Sequence, residues 1–232
     1  FIDIGAVSTR PGSEPISENA ELHKLTSAIE MIREKFPEAI LSADTYRSKV
    51  AEEAINAGAS VINDISGGTF DEKMFDVIAK YKTPYIMMHI RGTPQNMQRN
   101  PVYLDVFSEI KEFFQRQIRQ LATLGAEDNI VLDPGFGFGK TAQHNYELLE
   151  KLAGFKTLGF PVMAGISRKS MINKILGTAP KNALNGTTTL NTIALLNGAD
   201  ILRVHDVKEA IQVVKLVTYY KQIENKFFSN HE

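Results

Sequence analysis

Short polar side chains follow several apolar runs in the middle of this sequence, where each run gives way to a polar loop. Three of them, Asp44, Asn63 and Asp133, carry two carboxylates and one amide. Together these groups can accept hydrogen bonds from, and donate them to, the edge of a planar amino-pyrimidine ring. Burying such groups without partners costs free energy. The set therefore predicts a confined pocket that is filled by a polar, nitrogen-rich ligand.

Basic side chains come from three further loops, and they are Arg10, Lys169, Arg203 and His205. Guanidinium groups stay charged and bind phosphate or carboxylate through two parallel hydrogen bonds. An arginine such as Arg203 can also lie flat against a ring face. The pocket is therefore expected to take a flat heterocycle that bears phosphate, together with a carboxylate-bearing partner.

The elements that must position these groups alternate along the chain. Seven short apolar runs have the composition of buried strands: 1–5, 40–44, 60–65, 84–89, 129–133, 161–166 and 199–204. Helical periodicity fills the stretches between them and is clearest over 18–35, 46–57, 102–124 and 207–224. Repeated strand–helix units predict a parallel sheet with right-handed crossovers.

Such a sheet is either open and doubly wound or closed into a barrel. No glycine-rich dinucleotide or phosphate-binding fingerprint follows an early strand. Polar residues end nearly every predicted strand, which is typical of a (βα)8 TIM barrel with its site at the carboxyl ends of the strands. Because seven strands are predicted and a barrel needs eight, the first is expected upstream of Phe1. We predict a single barrel domain over 1–232 that is incomplete at its N-terminus.

Composition narrows the classes of partner. The net charge is −1, so the sequence lacks the basic excess typical of proteins that bind nucleic acid. It contains no cysteine, which excludes disulfides and thiolate metal sites and fits a cytoplasmic protein. No apolar run approaches the roughly 18 residues that span a bilayer. Small molecules are therefore the predicted partners, rather than nucleic acid or a membrane.

Several of these residues have ordinary structural explanations when taken singly. An aspartate at a strand end often caps the next helix, which is the expectation for Asp206. Lys140 can be a solvated loop charge, and His89 is expected to be a hydrogen-bonded structural histidine. The recurrence of polar groups at the same end of all seven predicted strands favours a functional site.

The motifs are specific when taken together. The chain carries Ser8-Thr9-Arg10-Pro11-Gly12, Asn63-Asp64-Ile65-Ser66-Gly67-Gly68, Asp133-Pro134-Gly135-Phe136-Gly137-Phe138-Gly139-Lys140, Ser167-Arg168-Lys169-Ser170 and Arg203-Val204-His205-Asp206-Val207. In order and spacing the whole chain resembles the dihydropteroate synthase family. The resemblance implies an eight-stranded βα barrel, a dimer, magnesium as cofactor, and condensation of a pterin diphosphate with p-aminobenzoate in folate biosynthesis.

The resemblance also implies a role for each matching residue. The catalytic set would be Asp44, Asp133, Lys169, Arg203 and His205. The pterin ring would lie among Asp44, Asn63, Asp133, Lys169 and Arg203, with diphosphate held by Asn63, Arg203 and His205. The p-aminobenzoate side would be formed by Thr9, Arg10, Pro11, Phe138, Ser167 and Lys169, and Met88 completes the substrate-binding set. The family's magnesium ligand is expected before Phe1, so no residue of this sequence is assigned to the metal.

Two other functions remain open at this point. A methyltetrahydrofolate-binding barrel of the corrinoid methyltransferase type would keep the Asp and Asn contacts. It would need neither Thr9-Arg10-Pro11 nor the pair Ser167 and Lys169, and both are present. A non-catalytic homologue would tolerate the missing first strand. The complete motif set favours the synthase.

Overall fold

A computed structural model describes residues 1–7 and 16–229, with side chains described to residue 223. Its strands are β1 (Ile2–Gly5), β2 (Leu41–Asp44), β3 (Val61–Asp64), β4 (Tyr85–Met88), β5 (Ile130–Asp133), β6 (Met163–Ala164) and β7 (Ile201–Leu202). Each predicted strand range contains one of them. The strands are shorter than predicted by one to four residues, because the predicted runs also include loop residues at one or both ends.

Helices separate the strands. They are α1 (Glu18–Lys35), α2 (Ser48–Asn56), α3 (Met74–Tyr81), α4 (Val106–Thr123), α5 (Ala142–Glu150), α6 (Ser170–Leu176), α7 (Leu184–Leu196) and α8 (Val207–Ser229), with 3₁₀ turns at Leu152–Leu158 and Pro180–Asn182. None of the helices in the described part of the chain combines the length and apolarity needed to cross a bilayer.

Local capping explains where several helices begin. The Ser17 side chain accepts from the backbone of Ala20 at the start of α1, and Asp105 accepts from Ser108 at the start of α4. At α5, Thr141 and His144 form a reciprocal capping box. Each cap satisfies backbone N–H groups that have no partner within the helix.

The strands are parallel and follow chain order. Strands β1 to β5 pair consecutively, β6 pairs with β7, and a bridge between Leu132 and Val162 continues the order from β5 towards β6. An open doubly wound sheet would reverse this order at a switch point. Arg203, just after β7, donates to Asp3 in β1 at 2.6 Å, so the first and last of these strands face each other. This is the arrangement that a βα barrel requires.

Apolar side chains fill the space between the strands and the surrounding helices. Leu41, Ile62 and Tyr85 are fully buried on the strands, and Ile110 and Phe114 bury the inner face of α4. Burial of side chains of this size stabilises a fold by about 1.5–3 kcal/mol each. The core lies towards the outside of the sheet, which leaves the carboxyl ends of the strands for polar groups.

Candidate active site

The predicted polar residues end neighbouring strands at one mouth of the structure. Strand pairing places Asp44 beside Gly5 and Asn63, and it places Met88 beside Asp133. Met88 is buried there, at the end of β4. Parallel strands direct their carboxyl ends the same way, so the loops that follow β6 and β7 open onto this mouth as well.

Arg203 connects the acidic groups across the mouth. Its Nε donates to Asp3 Oδ2 at 2.6 Å, and its terminal nitrogen donates to Asp44 Oδ2 at 3.2 Å. Asn63 Nδ2 lies 3.3 and 3.2 Å from the two Asp3 oxygens. Asp3 thus lies at the centre of this cluster, although sequence reasoning treated it only as part of a strand. Side chains alternate along a strand, so Asp3 shares a face with Gly5, but this spacing alone does not distinguish Asp3 from a structural residue of the strand.

Asp44 and Asp133 are both difficult to ionise. Burial and the nearby charge of Asp3 raise the pKa of Asp44 to about 7, against an opposing effect of Arg203. Burial also raises the pKa of Asp133, although Lys169 and the Gly135 N–H, which donates at 2.8 Å, oppose the shift. Carboxyl groups in such surroundings gain stabilisation from a ligand that donates hydrogen bonds or develops positive charge.

Lys169 faces these acids from the loop after β6. Its Nζ donates to the Phe136 carbonyl and lies 4.7 Å from the centroid of the Phe138 ring. Burial lowers the pKa of Lys169 to about 8, against the attraction of Asp133. A lysine with this pKa is a charged hydrogen-bond donor at neutral pH that can also exchange a proton.

A glycine, Gly165, lies among these groups. A Cβ built on Gly165 would lie 3.8 Å from Arg203 Cβ, 3.8 Å from Lys169 Nζ and 3.9 Å from Asp133 Oδ2. Those are ordinary van der Waals distances, so the protein itself does not require glycine at this position. Sequence reasoning missed Gly165, because an Ala-Gly pair at the end of an apolar run carries no chemical signal.

Ser167 and His205 form the adjoining part of the mouth. Ser167 Oγ lies 2.9 Å from His205 Nδ1 and accepts from the His205 backbone N–H at 3.3 Å. Phe138 is half-buried on the Lys169 side. Thr9, Arg10 and Pro11, predicted for the same region, lie outside the described residues.

Lys140 is buried rather than solvated. It is 3% exposed, and its Nζ contacts the carbonyls of Gly135 and Phe138 at 2.9 Å each and that of His89 at 3.2 Å. His89 Nδ1 lies 3.1 Å from the same nitrogen, so the prediction of a structural histidine is confirmed. Burial lowers the pKa of Lys140 well below its ordinary value.

Lys140 gathers backbone oxygens of a tight loop. Gly135, with φ of 71°, passes so close to the His89 carbonyl that a Cβ would overlap it. This loop presents the Phe136 carbonyl to Lys169 and the Phe138 ring beside it. Lys140 therefore holds this loop through its backbone carbonyl groups.

The described side chains include no ready-made cluster of metal ligands. Within 1–7 and 16–223, no group of three or more His, Asp or Glu side chains is placed to hold a metal ion. Magnesium usually keeps several water ligands and binds one or two carboxylates together with substrate phosphates. We therefore assign no magnesium ligand among these residues.

Replacing Asp44 with asparagine is expected to stabilise the protein in a pH-dependent way. The unfolded chain ionises Asp44 near its ordinary pKa, whereas the folded protein retains the proton until about pH 7. Rising pH therefore favours unfolding through this group between about pH 4 and 7. The stability of Asp44→Asn relative to the natural protein should rise across that window and level off above it. Urea unfolding at a series of pH values measures this difference, and a difference independent of pH would contradict the assignment.

The sequence of this chain is similar to those of known proteins. Residues 1–205 match the family model described as "Pterin binding enzyme". The chain is 45% identical over 218 residues to a dihydropteroate synthase of Synechocystis, covering 93% of this chain and 75% of that protein. It is 40% identical to the Escherichia coli dihydropteroate synthase, covering 94% of this chain and 77% of that protein.

Solved structures agree with the sequence comparison. A Yersinia pestis dihydropteroate synthase, solved as a complex with a sulfonamide drug, superposes with a TM-score of 0.91 at 39% identity, over 95% of this chain and 80% of that one. A Clostridium difficile dihydropteroate synthase, solved in the presence of pteroic acid, gives 0.88 at 37% identity, over 94% and 81%. These similarities confirm the βα barrel class. The chain belongs to the pterin-binding enzyme family and, within that family, to the dihydropteroate synthases.

Proposed function

We propose that this chain condenses 6-hydroxymethyl-7,8-dihydropterin diphosphate with p-aminobenzoate, forming 7,8-dihydropteroate and diphosphate in the cytoplasm. One observation carries the assignment of residues: Arg203 bridges Asp3 and Asp44 at the mouth where Lys169 faces Asp133. Carboxyl groups inside the mouth, with cations beside them, suit a ring that carries a diphosphate. The family relationship supplies the reaction, and the charge arrangement supports the residue roles that follow.

The pterin ring is assigned to the part of the mouth lined by carboxyl groups. Asp44 and Asp133 accept from the ring's amino and ring N–H groups, and Asn63 supplies an amide beside them. Because burial raises the pKa of both carboxyls, hydrogen-bond donors on the ring relieve an existing electrostatic cost. Met88, buried beside Asp133, closes the apolar side of this pocket.

The diphosphate is assigned to the basic groups. Arg203 and His205 hold its oxygens, and Lys169 lies between the ring and the leaving group. The carbon–oxygen bond to diphosphate breaks, and diphosphate keeps the oxygen and the bonding electron pair. Positive charge that develops on the pterin methylene carbon is stabilised by Asp44 and Asp133, whose fixed positions require no reorganisation.

The second substrate is assigned to the Ser167 side of the mouth. Ser167, the Lys169 stem and the Phe138 ring provide a surface for p-aminobenzoate, and Thr9, Arg10 and Pro11 are proposed to complete it. The arylamine nitrogen attacks the methylene carbon, forms the new carbon–nitrogen bond and loses a proton to solvent. Magnesium, proposed as the cofactor, would neutralise diphosphate charge when bound.

The direct test supplies pterin diphosphate, labelled p-aminobenzoate and magnesium, and measures labelled dihydropteroate and released diphosphate. Lys169→Ala and Arg203→Ala are each expected to reduce turnover by at least about 100-fold, because each removes a charge that acts on the leaving group. Lys174→Ala and Arg119→Ala, which change exposed residues on α6 and α4, are the matched controls. Omission of magnesium should abolish product formation.

Full activity of both Lys169→Ala and Arg203→Ala would contradict the residue assignment. Binding of pterin diphosphate without any product, in the presence of magnesium, would instead support the non-catalytic or methyl-transfer alternative. Circular dichroism of each variant shows whether the fold is intact.

Gly165→Ala tests the placement of the pterin ring. The added methyl group meets protein atoms only at 3.8 Å or beyond, so thermal stability is expected to be unchanged. The methyl group would enter the volume assigned to the ligand and should weaken pteroic acid binding at least about tenfold, a cost of roughly 1.4 kcal/mol. Calorimetric titration measures the affinity, and normal binding by a folded Gly165→Ala variant would place the ring elsewhere.

We also propose a homodimer formed through α7 and α8. These neighbouring helices expose large apolar side chains: Leu184, Ile193, Leu196, Val207, Ile211, Val214, Leu216, Tyr219, Tyr220 and Ile223. Exposed apolar surface of this extent is typical of a protein interface, and a two-fold contact uses the same surface on both copies. Sedimentation should give a dimer for the natural protein and a monomer for Ile211→Glu, whereas identical sedimentation of the two would exclude this surface.

A further inference from the structure

Arg168 has a backbone conformation that an arginine rarely adopts. Its φ is 57°, and it is the third residue of a turn closed by the Lys169 N–H, which donates to the Ile166 carbonyl at 3.1 Å. Glycine or asparagine usually occupies such a position, because a Cβ crowds the backbone there. An arginine in this conformation requires stabilising contacts elsewhere.

The Arg168 side chain supplies them through two parallel hydrogen bonds to one carboxylate. Nε donates to Asp206 Oδ2 at 2.9 Å, and a terminal nitrogen donates to Asp206 Oδ1 at 2.6 Å. Bidentate pairs of this kind are strong and directionally restrictive. The side chains of Arg168 and Asp206 are only 30% and 17% exposed, so solvent screens the pair less than a fully exposed one.

The Arg168 backbone is held as well. Its N–H donates to Thr187 Oγ1 at 3.0 Å, and its carbonyl accepts from Asn173 Nδ2 at 3.2 Å. The backbone N–H and carbonyl of Arg168 are thus hydrogen-bonded to side chains on α7 and α6, respectively. Contacts with Asp206, Thr187 and Asn173 therefore hold Arg168 in its left-handed conformation.

This pair joins the two loops that carry most of the cationic side of the mouth. Arg168 lies between Ser167 and Lys169, and Asp206 directly follows His205. We propose that the Arg168–Asp206 pair, here called the loop clamp, is a positioning device that aligns Ser167 and Lys169 with Arg203 and His205 for turnover. The inference rests on the proposed function, because those four residues are its substrate contacts.

A second ion pair provides a matched comparison. Lys156 Nζ contacts Asp200 at 2.7 Å, and these residues precede β6 and β7, the same two strands that the loop clamp follows. The Lys156–Asp200 pair therefore joins the same two βα units at the opposite end of the strands. A purely structural role for ion pairs between these units predicts similar effects when either pair is removed.

The test compares Arg168→Gly, Asp206→Asn and Lys156→Met. Glycine relieves the backbone strain but removes the guanidinium, and asparagine keeps the shape of Asp206 without its charge. Both clamp variants are expected to lower the turnover number at least about tenfold with the KM for pterin diphosphate changed less than about threefold, because misalignment affects the reacting geometry more than binding at the part of the mouth lined by carboxyl groups. Arg168→Lys should recover part of the loss, and Lys156→Met should behave like the natural protein.

Hydrogen exchange provides a readout that does not depend on turnover. Peptides covering 164–170 and 202–207 should exchange faster in Arg168→Gly and in Asp206→Asn, and the double variant should resemble either single variant. These peptides should be unaffected in Lys156→Met. Unchanged exchange in both loops, or an unchanged turnover number in both clamp variants of an active enzyme, would overturn the inference. Failure of the natural protein to form product would count against the proposed function alone, since the exchange result still decides whether the clamp holds the loops.

Discussion

Burial of several carboxyl groups beside few cations is the constraint on which the rest of the mouth depends. Asp3, Asp44 and Asp133 converge from separate strands, and Arg203 contacts the first two directly. Burial raises the pKa of Asp133, and the charge of Lys169 offsets this rise only in part. The mouth is therefore electrostatically strained, and a ligand that donates hydrogen bonds or develops positive charge relieves that strain. The same feature that costs stability provides affinity and charge stabilisation during the reaction.

The supporting groups around the mouth are themselves polar and buried. Lys140 donates to carbonyl oxygens of the loop that presents Phe136 to Lys169. Asp64, fully buried next to Asn63, accepts from Tyr85 Oη at 2.7 Å, from the Ser66 hydroxyl at 2.7 Å and from backbone N–H groups. Buried groups with complete sets of partners hold a single geometry, because each alternative leaves a charge or donor unpaired. The reacting groups are thus carried by rigid loops.

Most of the architecture could be predicted from local pattern. Apolar runs and helical periodicity located every strand that the structure describes, since those signals arise within a few neighbouring residues. Strand ends were overestimated, because a buried loop such as 165–166 is as apolar as a strand. The cluster of Asp44, Asn63 and Asp133 could be anticipated because parallel strands place their carboxyl ends together.

What could not be predicted depends on distant contacts. The central place of Asp3 follows from Arg203, which lies 200 positions away in the chain. The burial of Lys140 depends on carbonyl groups that are oriented by a glycine-rich loop, and nothing in its sequence neighbours distinguishes it from a surface lysine. Asp206 stands at the start of α8, as local sequence predicts for a helix cap, and its carbonyl accepts from the Ala210 N–H, but the contact of its carboxylate with Arg168 could not be predicted. Contacts with residues elsewhere in the fold therefore determine the surroundings of Asp3, Lys140 and Asp206.

The ionisation of Asp44 is the most direct measure of the electrostatic strain at the mouth. Carbon-13 NMR of the Asp44 side chain, assigned by comparison with the asparagine variant, follows its titration in the ligand-free protein. We expect a midpoint at about pH 7. A midpoint near 4, about that of an aspartate in water, would contradict this electrostatic strain at the mouth.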